Sequence, residues 1–209
     1  MAGRIKRVLL DYLVDNLAIY LTVFGFFALG TTLGAVLVKP LTLGQQIELL
    51  EYLDSFITSL LNMEISSVGI LKQALINNLK FVLYMWLLGL TVIGVPIVVG
   101  LVFARGFILG FTVSFLVQEK GAQGISMAIL SVLPPNILLL PVILVSAVTA
   151  ISFSLVLIRG NIRNSLIKLL QQFLSYSLLM LTLAIVAVMA AFIEAYIAPS
   201  MMKLIAVYI

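Results

Sequence analysis

Apolar residues fill long unbroken stretches of this chain, and its polar residues are confined to short intervals between them. The first stretch, 17–38, is long enough to cross a bilayer, which takes about 20 apolar residues in a helix. It follows Arg4, Lys6 and Arg7 and ends in Val38-Lys39-Pro40 with no small-residue cleavage site, so it reads as an uncleaved first span with a cytoplasmic amino terminus. A second span is predicted over 79–104, with Lys80 at its start, a kink at Gly94 and Pro96, and Arg105 closing it. Tyr84 and Trp86 fall where amphipathic rings settle at the interface. The next stretch is short and draws on the residues before Arg105 to give a third span over 102–118. A fourth covers 137–158 and a fifth 173–197, the last bracketed by Tyr176 and Tyr196, about 30 Å apart along a helix.

Residues 42–78 break this pattern. Leu43, Ile47, Leu50, Leu53 and Ile57 recur at helical spacing while Glu48, Glu51 and Thr58 take the opposite side, which predicts an amphipathic helix over 42–62. Thr42 and Gln45 form a capping box at its start. Helices that lie on anionic lipid are rich in Lys and Arg; this one is acidic, so it is expected to pack on protein. A second, shorter helix is expected over 68–78.

From residue 121 to 158 there is no charge, and Pro134, Pro135, Asn136 and Pro141 stand in the middle of the run. As one straight helix it would measure about 57 Å, nearly twice the roughly 30 Å of hydrocarbon in a bilayer. The proline pair removes two backbone donors and clashes with the preceding turn, which predicts a half helix over 125–133 that stops at a structural break before the fourth span. The Asn136 amide is suited to serve backbone groups freed there. The expected fold is therefore a single all-α polytopic membrane domain of about five spans. One span follows a half helix, and an amphipathic helix separates spans one and two outside the membrane.

Composition agrees. Hydrophobic residues make up 63% of the chain, charged residues 10%, and the mean hydropathy is +1.27, against about 25% charge in soluble domains. The net charge of +4 comes from dispersed Lys and Arg with no basic patch of interleaved aromatics, so nucleic acid is not an expected partner. Five spans place Arg4, Lys6, Arg7, Arg105, Arg159, Arg163 and Lys168 inside, and Lys39, Lys72, Lys80, Lys120 and Lys203 outside, in keeping with the positive-inside rule. The outside loop carries Glu48, Glu51 and Asp54, which become the candidate partner-binding residues.

The chain has no cysteine and no histidine. Disulfides, thiolate chemistry, a Ser-His-Asp triad and an H-E-x-x-H zinc site are thereby excluded. Asp11, Asp15 and Asp54 lie outside the spans, which removes an intramembrane aspartyl dyad, and no phosphate-binding glycine loop occurs. No catalytic, cofactor-binding or metal-binding residues are expected, and the chain reads as a protein without enzymatic activity of its own. Glu194 is the sole carboxylate in a predicted span; beside Tyr196 and Pro199 it is expected to reach interfacial water rather than to serve a proton path. Gly30 with Gly34, Gly106 with Gly110, and Ala187 with Ala191 present small-residue faces that let helices approach closely. Internal packing and a homodimer both remain open uses of them.

Four segments carry a resemblance: Lys80-Phe-Val-Leu-Tyr-Met-Trp86, Phe111-Thr-Val-Ser-Phe-Leu-Val117, Ser131-Val-Leu-Pro-Pro-Asn-Ile-Leu-Leu-Leu-Pro141 and Phe192-Ile-Glu-Ala-Tyr-Ile-Ala-Pro199. In order and spacing they resemble the stage II sporulation protein M family. The wider family often has Pro-His-Gly followed by Glu at the break, where this chain has Pro134-Pro135-Asn136 and Leu139, so no polar role there carries over. The resemblance implies a multi-pass cell-membrane protein on the mother-cell side of the sporulation septum. It would act in engulfment as a scaffold for two peptidoglycan-degrading partners, stage II sporulation proteins D and P, with no cofactor. The alternative is a channel or permease-like subunit, suggested by the interrupted helix. The apparent lack of buried polar groups to line a path argues against it.

Overall fold

Backbone polar groups in hydrocarbon must be satisfied within their own segment, and the regular elements of this chain are accordingly helices. The computed structural model describes residues 16–61, 66–158 and 166–206, and among these there is no strand. The helices are α1 (Leu17–Val36), α2 (Leu43–Leu61), α3 (Ser67–Gly89), α4 (Gly94–Met127), α5 (Leu133–Ile158), α6 (Leu166–Phe192) and α7 (Ala198–Ala206). A π-helical turn, Ala128–Val132, joins α4 to α5, and another, Ile193–Ile197, joins α6 to α7. Three segments are long and apolar enough to cross a membrane: Leu17–Val36, Gly94–Ile158 and Leu169–Met202.

The middle segment would be about 98 Å long if straight. It folds back on itself at Gly121, whose φ of 56° and ψ of −128° interrupt the helix. A side chain at such a φ and ψ, outside even the left-handed helical region, adds strain of about 1–3 kcal/mol. A Cβ at Gly124 would strike the Leu116 carbonyl, so this glycine lets the returning chain lie against the outgoing one.

This reversal corrects the expected break at Pro134-Pro135. The helix continues through both prolines and through Pro141. What precedes them is a π-turn, in which the Leu133 amide bonds the Ala128 carbonyl five residues back. The wider turn accommodates the missing proline donors without a stop. Asn136 Nδ2 donates to the Val132 carbonyl at 2.7 Å and Ser131 Oγ to that of Met127 at 2.6 Å, so side chains bond the backbone around the irregularity.

The second and third spans also take different bounds from those expected. The short helix over 68–78 and the first half of the 79–104 span are one helix, α3, and the chain turns at residues 90–93 before α4 begins. Thr91 Oγ1 donates to the Leu88 carbonyl at 3.0 Å, and a Cβ at Gly94 would meet that same carbonyl. Pro96 falls in the first turn of α4, where a missing amide costs no helical bond. Arg105 consequently lies inside α4 rather than at the end of a span.

The core is built of Val82, Met85, Val98, Val102 and Val148, with Tyr176 among them. Tyr176 is 4% exposed, its ring turned into the bundle. Its ring stacks on Phe153 at 4.5 Å, and its hydroxyl donates to the Met85 and Trp86 carbonyls at 3.1 and 2.8 Å, in the last turn of α3. Trp86 Nε1 reaches Ser177 Oγ at 3.1 Å.

The glycine faces meet each other. Gly30 and Gly34 of α1 abut the backbones of Phe103 and Phe107, while Gly106 and Gly110 of α4 abut those of Phe27 and Thr31. The two helices therefore run parallel at backbone contact, and Ser114 Oγ bonds the Ala35 carbonyl across them at 3.0 Å. Ala187 and Ala191, both 0% exposed, pack inside the bundle.

Candidate functional site: a charged cavity between the helices

Arg105 from α4 and Glu194 from the second π-turn line one cavity of about 260 Å³. The expectation that Arg105 closes a span at the inner membrane face is thereby overturned. Folding α4 as a single helix carries Arg105 well past the turn at residues 90–93, to the level of Glu194. The two are close enough to interact electrostatically. The Arg105 guanidinium lies 4.8 Å from the centre of the Phe81 ring, a cation–π arrangement that holds it against α3.

Asn78 of α3 is buried at 4% exposure. Its amide donates to the Ala187 carbonyl at 3.5 Å and also reaches the Glu194 carboxylate. Ser131, Pro135 and Asn136 close the cavity from the other side. The Pro-Pro-Asn segment, which stands within an uncharged run of the sequence, thus lines a cavity together with an arginine and a glutamate. Side-chain polar atoms that are fully buried all have a partner among the described residues.

Both π-turns border this cavity, one through Ser131 and Val132 and the other through Glu194. Such turns trade hydrogen-bond quality for a widened helix that re-aims a side chain, and they recur at functional sites. A volume of this size, walled by an arginine, a glutamate, amides and hydroxyls, has room and partners for several ordered waters. It can hold a small polar group or ion of either sign. No cluster of His, Cys, Asp or Glu suited to a metal occurs among the described residues.

The adjoining cavity, about 370 Å³, shares Asn77, Arg105 and Ile108 with the first and adds Lys80 and Tyr84. A larger groove of about 970 Å³ lies toward the start of α1, with Asn16, Ser152, Gln171 and Gln172 in its walls. Ser152 Oγ donates to Asn16 Oδ1 at 2.6 Å there.

Glu48, Glu51 and Asp54 lie along α2 and are exposed. Thr42 and Gln45 cap the helix reciprocally, at 3.0 and 3.5 Å. Asp54 binds Lys120 at 2.9 Å, the single ion pair among the described residues, and so ties α2 to the far end of α4. Asn62 and Glu64, together with Arg4, Lys6, Arg7, Arg159 and Arg163, fall outside the described residues.

Apolar helices packed around a charged cavity define an integral membrane protein of the multi-helix class. The family profile of stage II sporulation protein M matches residues 23–199, most of the chain, and the chain belongs to that family. Comparison with curated proteins and with solved structures finds no match. Membership makes it a sporulation-related membrane protein.

Proposed function

We propose that the protein is a non-enzymatic membrane scaffold that gathers peptidoglycan-degrading partners, stage II sporulation proteins D and P, at the mother-cell side of the septum during engulfment. The observation that supports this most is α2. It leaves Glu48 and Glu51 exposed, along with the large apolar residues Leu43, Ile47 and Tyr52, and it is anchored to the bundle through Asp54 and Lys120. An exposed apolar surface bordered by charge is the usual form of a protein docking surface.

The arrangement fits five crossings, by α1, α3, α4 up to Gly121, α5, and α6 with its π-turn, the amino terminus facing the cytoplasm. α3 contributes about 35 Å of helix, enough to cross, although Lys72 and Lys80 lower its hydropathy. α2 then faces outward, toward the cell wall on which such partners act.

The test is the double substitution Glu48→Lys/Glu51→Lys, which leaves the Asp54–Lys120 pair in place. Recovery of the two hydrolases with the detergent-extracted protein should fall several-fold at normal protein abundance. Undiminished recovery would exclude α2 as the docking surface.

A second reading, a channel or permease-like subunit, gains support from the Arg105–Glu194 cavity, because charged residues within a membrane bundle commonly mark a transport path. Ion or solute flux through the purified protein in liposomes tests it. Absence of flux under several gradients removes it.

A further inference from the structure

The cavity between α3 and α4 carries more positive charge than its surroundings balance. Lys80 and Arg105 both line it, and among the described residues the one carboxylate lining it or the adjoining cavity is Glu194, on the far side of Arg105. The three side chains sum to a single positive charge. Its depth follows from the parallel packing of α1 and α4. Arg105 stands between Phe103 and Phe107, which abut Gly30 and Gly34, so it lies about 8 Å along the axis from the end of α1 at Val36. A cation at that depth is costly unless it finds an anion or reaches the headgroup layer.

The walls indicate which anion. Arg105 offers a planar fork suited to two oxygens of a phosphate, Lys80 a point charge, and Asn77 and Tyr84 neutral donors, whereas Leu101, Ala104 and Ile108 form the apolar side. Ile108 of its wall is exposed, as are Leu83 of α3 and Ile97 of α4 on the same two helices, an apolar surface that a bilayer would cover with acyl chains. Basic pockets between membrane helices are where anionic headgroups bind. We propose that this cavity holds the phosphodiester headgroup of an anionic phospholipid from the leaflet nearest α2, its single negative charge balancing Lys80, Arg105 and Glu194, with its acyl chains along Leu83, Ile97 and Ile108. The proposal is independent of partner recruitment.

The test is intact-complex mass spectrometry of the full chain released from mild detergent, titrated with phosphatidylglycerol, with phosphatidylcholine and with inorganic phosphate. One phosphatidylglycerol should be retained at least about fivefold better than phosphatidylcholine, which shares the phosphodiester but has no net charge. Lys80→Gln and Arg105→Gln should each weaken retention about fivefold, as expected for one basic residue at a membrane surface. Lys72→Gln, on an exposed part of α3, should not change it. Arg105 also packs on Phe81 and its loss can disturb folding; Lys80 is exposed, so its variant carries the decision. Equal retention of the two lipids would overturn the proposal, as would full retention by Lys80→Gln. Displacement of phosphatidylglycerol by millimolar inorganic phosphate would assign the site to a free anion and overturn the lipid assignment.

Discussion

Glycine-to-alanine substitution should have opposite signs at different glycines of the same helices, and this tests the α1–α4 packing directly. At Gly25 of α1 and Gly100 of α4 an added Cβ meets nothing within 4 Å. Alanine there removes the backbone entropy penalty of glycine in a helix and should stabilise by about 0.5–1 kcal/mol. At Gly30, Gly34, Gly106 and Gly110 the same methyl meets backbone of the opposing helix, which cannot rotate away as a side chain could. The helices must part, and a gap of about 0.5–1 Å forfeits a quarter to a half of each dispersion contact, worth about 0.1–0.2 kcal/mol per atom pair. Spread over the interface, with the Ser114–Ala35 bond stretched, the loss exceeds the entropy gain by about 1–3 kcal/mol. The pair Gly30→Ala and Gly106→Ala should be sub-additive, because the first separation already makes room for the second. Reversible unfolding in mixed micelles, read by tryptophan fluorescence from Trp86, measures all of these. If alanine at Gly30 or Gly110 stabilises as it does at Gly25, α1 and α4 do not meet at their glycines and the packing described here is wrong.

Tyr176→Phe keeps the stack on Phe153 but removes the donor to the Met85 and Trp86 carbonyls; it should cost about 1–3 kcal/mol in the same assay. A neutral change would mean that water replaces the hydroxyl. Gly121→Ala introduces no clash but strains a positive φ, so a loss of about 1–3 kcal/mol is expected, whereas Gly124→Ala should be worse because its methyl meets the Leu116 backbone. Arg105→Met, which also removes the packing on Phe81, and Glu194→Gln should each destabilise by about 1 kcal/mol or less, because the two charges face each other across a shared cavity without forming an ion pair, and the double variant should be milder than the sum. Strict additivity in a double-mutant cycle would show that the two do not interact.

The helices were legible in the sequence because the signal for them is local. Long apolar runs have few stable alternatives in lipid, and the start of α2 was readable from Thr42 and Gln45. Misreadings arose where a local rule met a competing one. Arg105 was taken as a span terminus because a charge is costly within a membrane, yet Phe81 and Glu194 supply it with partners from elsewhere in the chain. Gly94 and Pro96 were read as a kink, although Gly94 beneath the Leu88 carbonyl and Pro96 in a first turn begin a new helix. Pro134 and Pro135 were read as a stop, a rule that assumes a regular α-helix ahead of them and not a π-turn. The site itself was illegible for a related reason. Asn78, Arg105, Asn136 and Glu194 come from four distant parts of the chain, and no spacing rule joins them. Their one shared sequence signal is that each is a polar residue interrupting an apolar run.

The competing functional readings make different demands on the middle of the bundle. Transport requires a continuous path from the Arg105–Glu194 cavity to the other side, and the groove lined by Asn16, Gln171 and Gln172 is the natural second vestibule. The core that holds these helices together includes Met85, Val98, Val102 and Val148, each 0–1% exposed, with Tyr176 bonded across to the end of α3. Opening a path there would separate close-packed side chains and strip the Met85 and Trp86 carbonyls of their donor, at a cost of several kcal/mol. A scaffold makes no such demand. It needs a rigid connection between the membrane-embedded part and the outward surface, and α4 provides one: the same helix carries the glycine seam with α1, Arg105 in the cavity, and Lys120, which holds Asp54 of α2 about 22 Å further along its axis. A partner seated on α2 would then be held by an element fixed in the bundle, which is the connection that the scaffold reading requires.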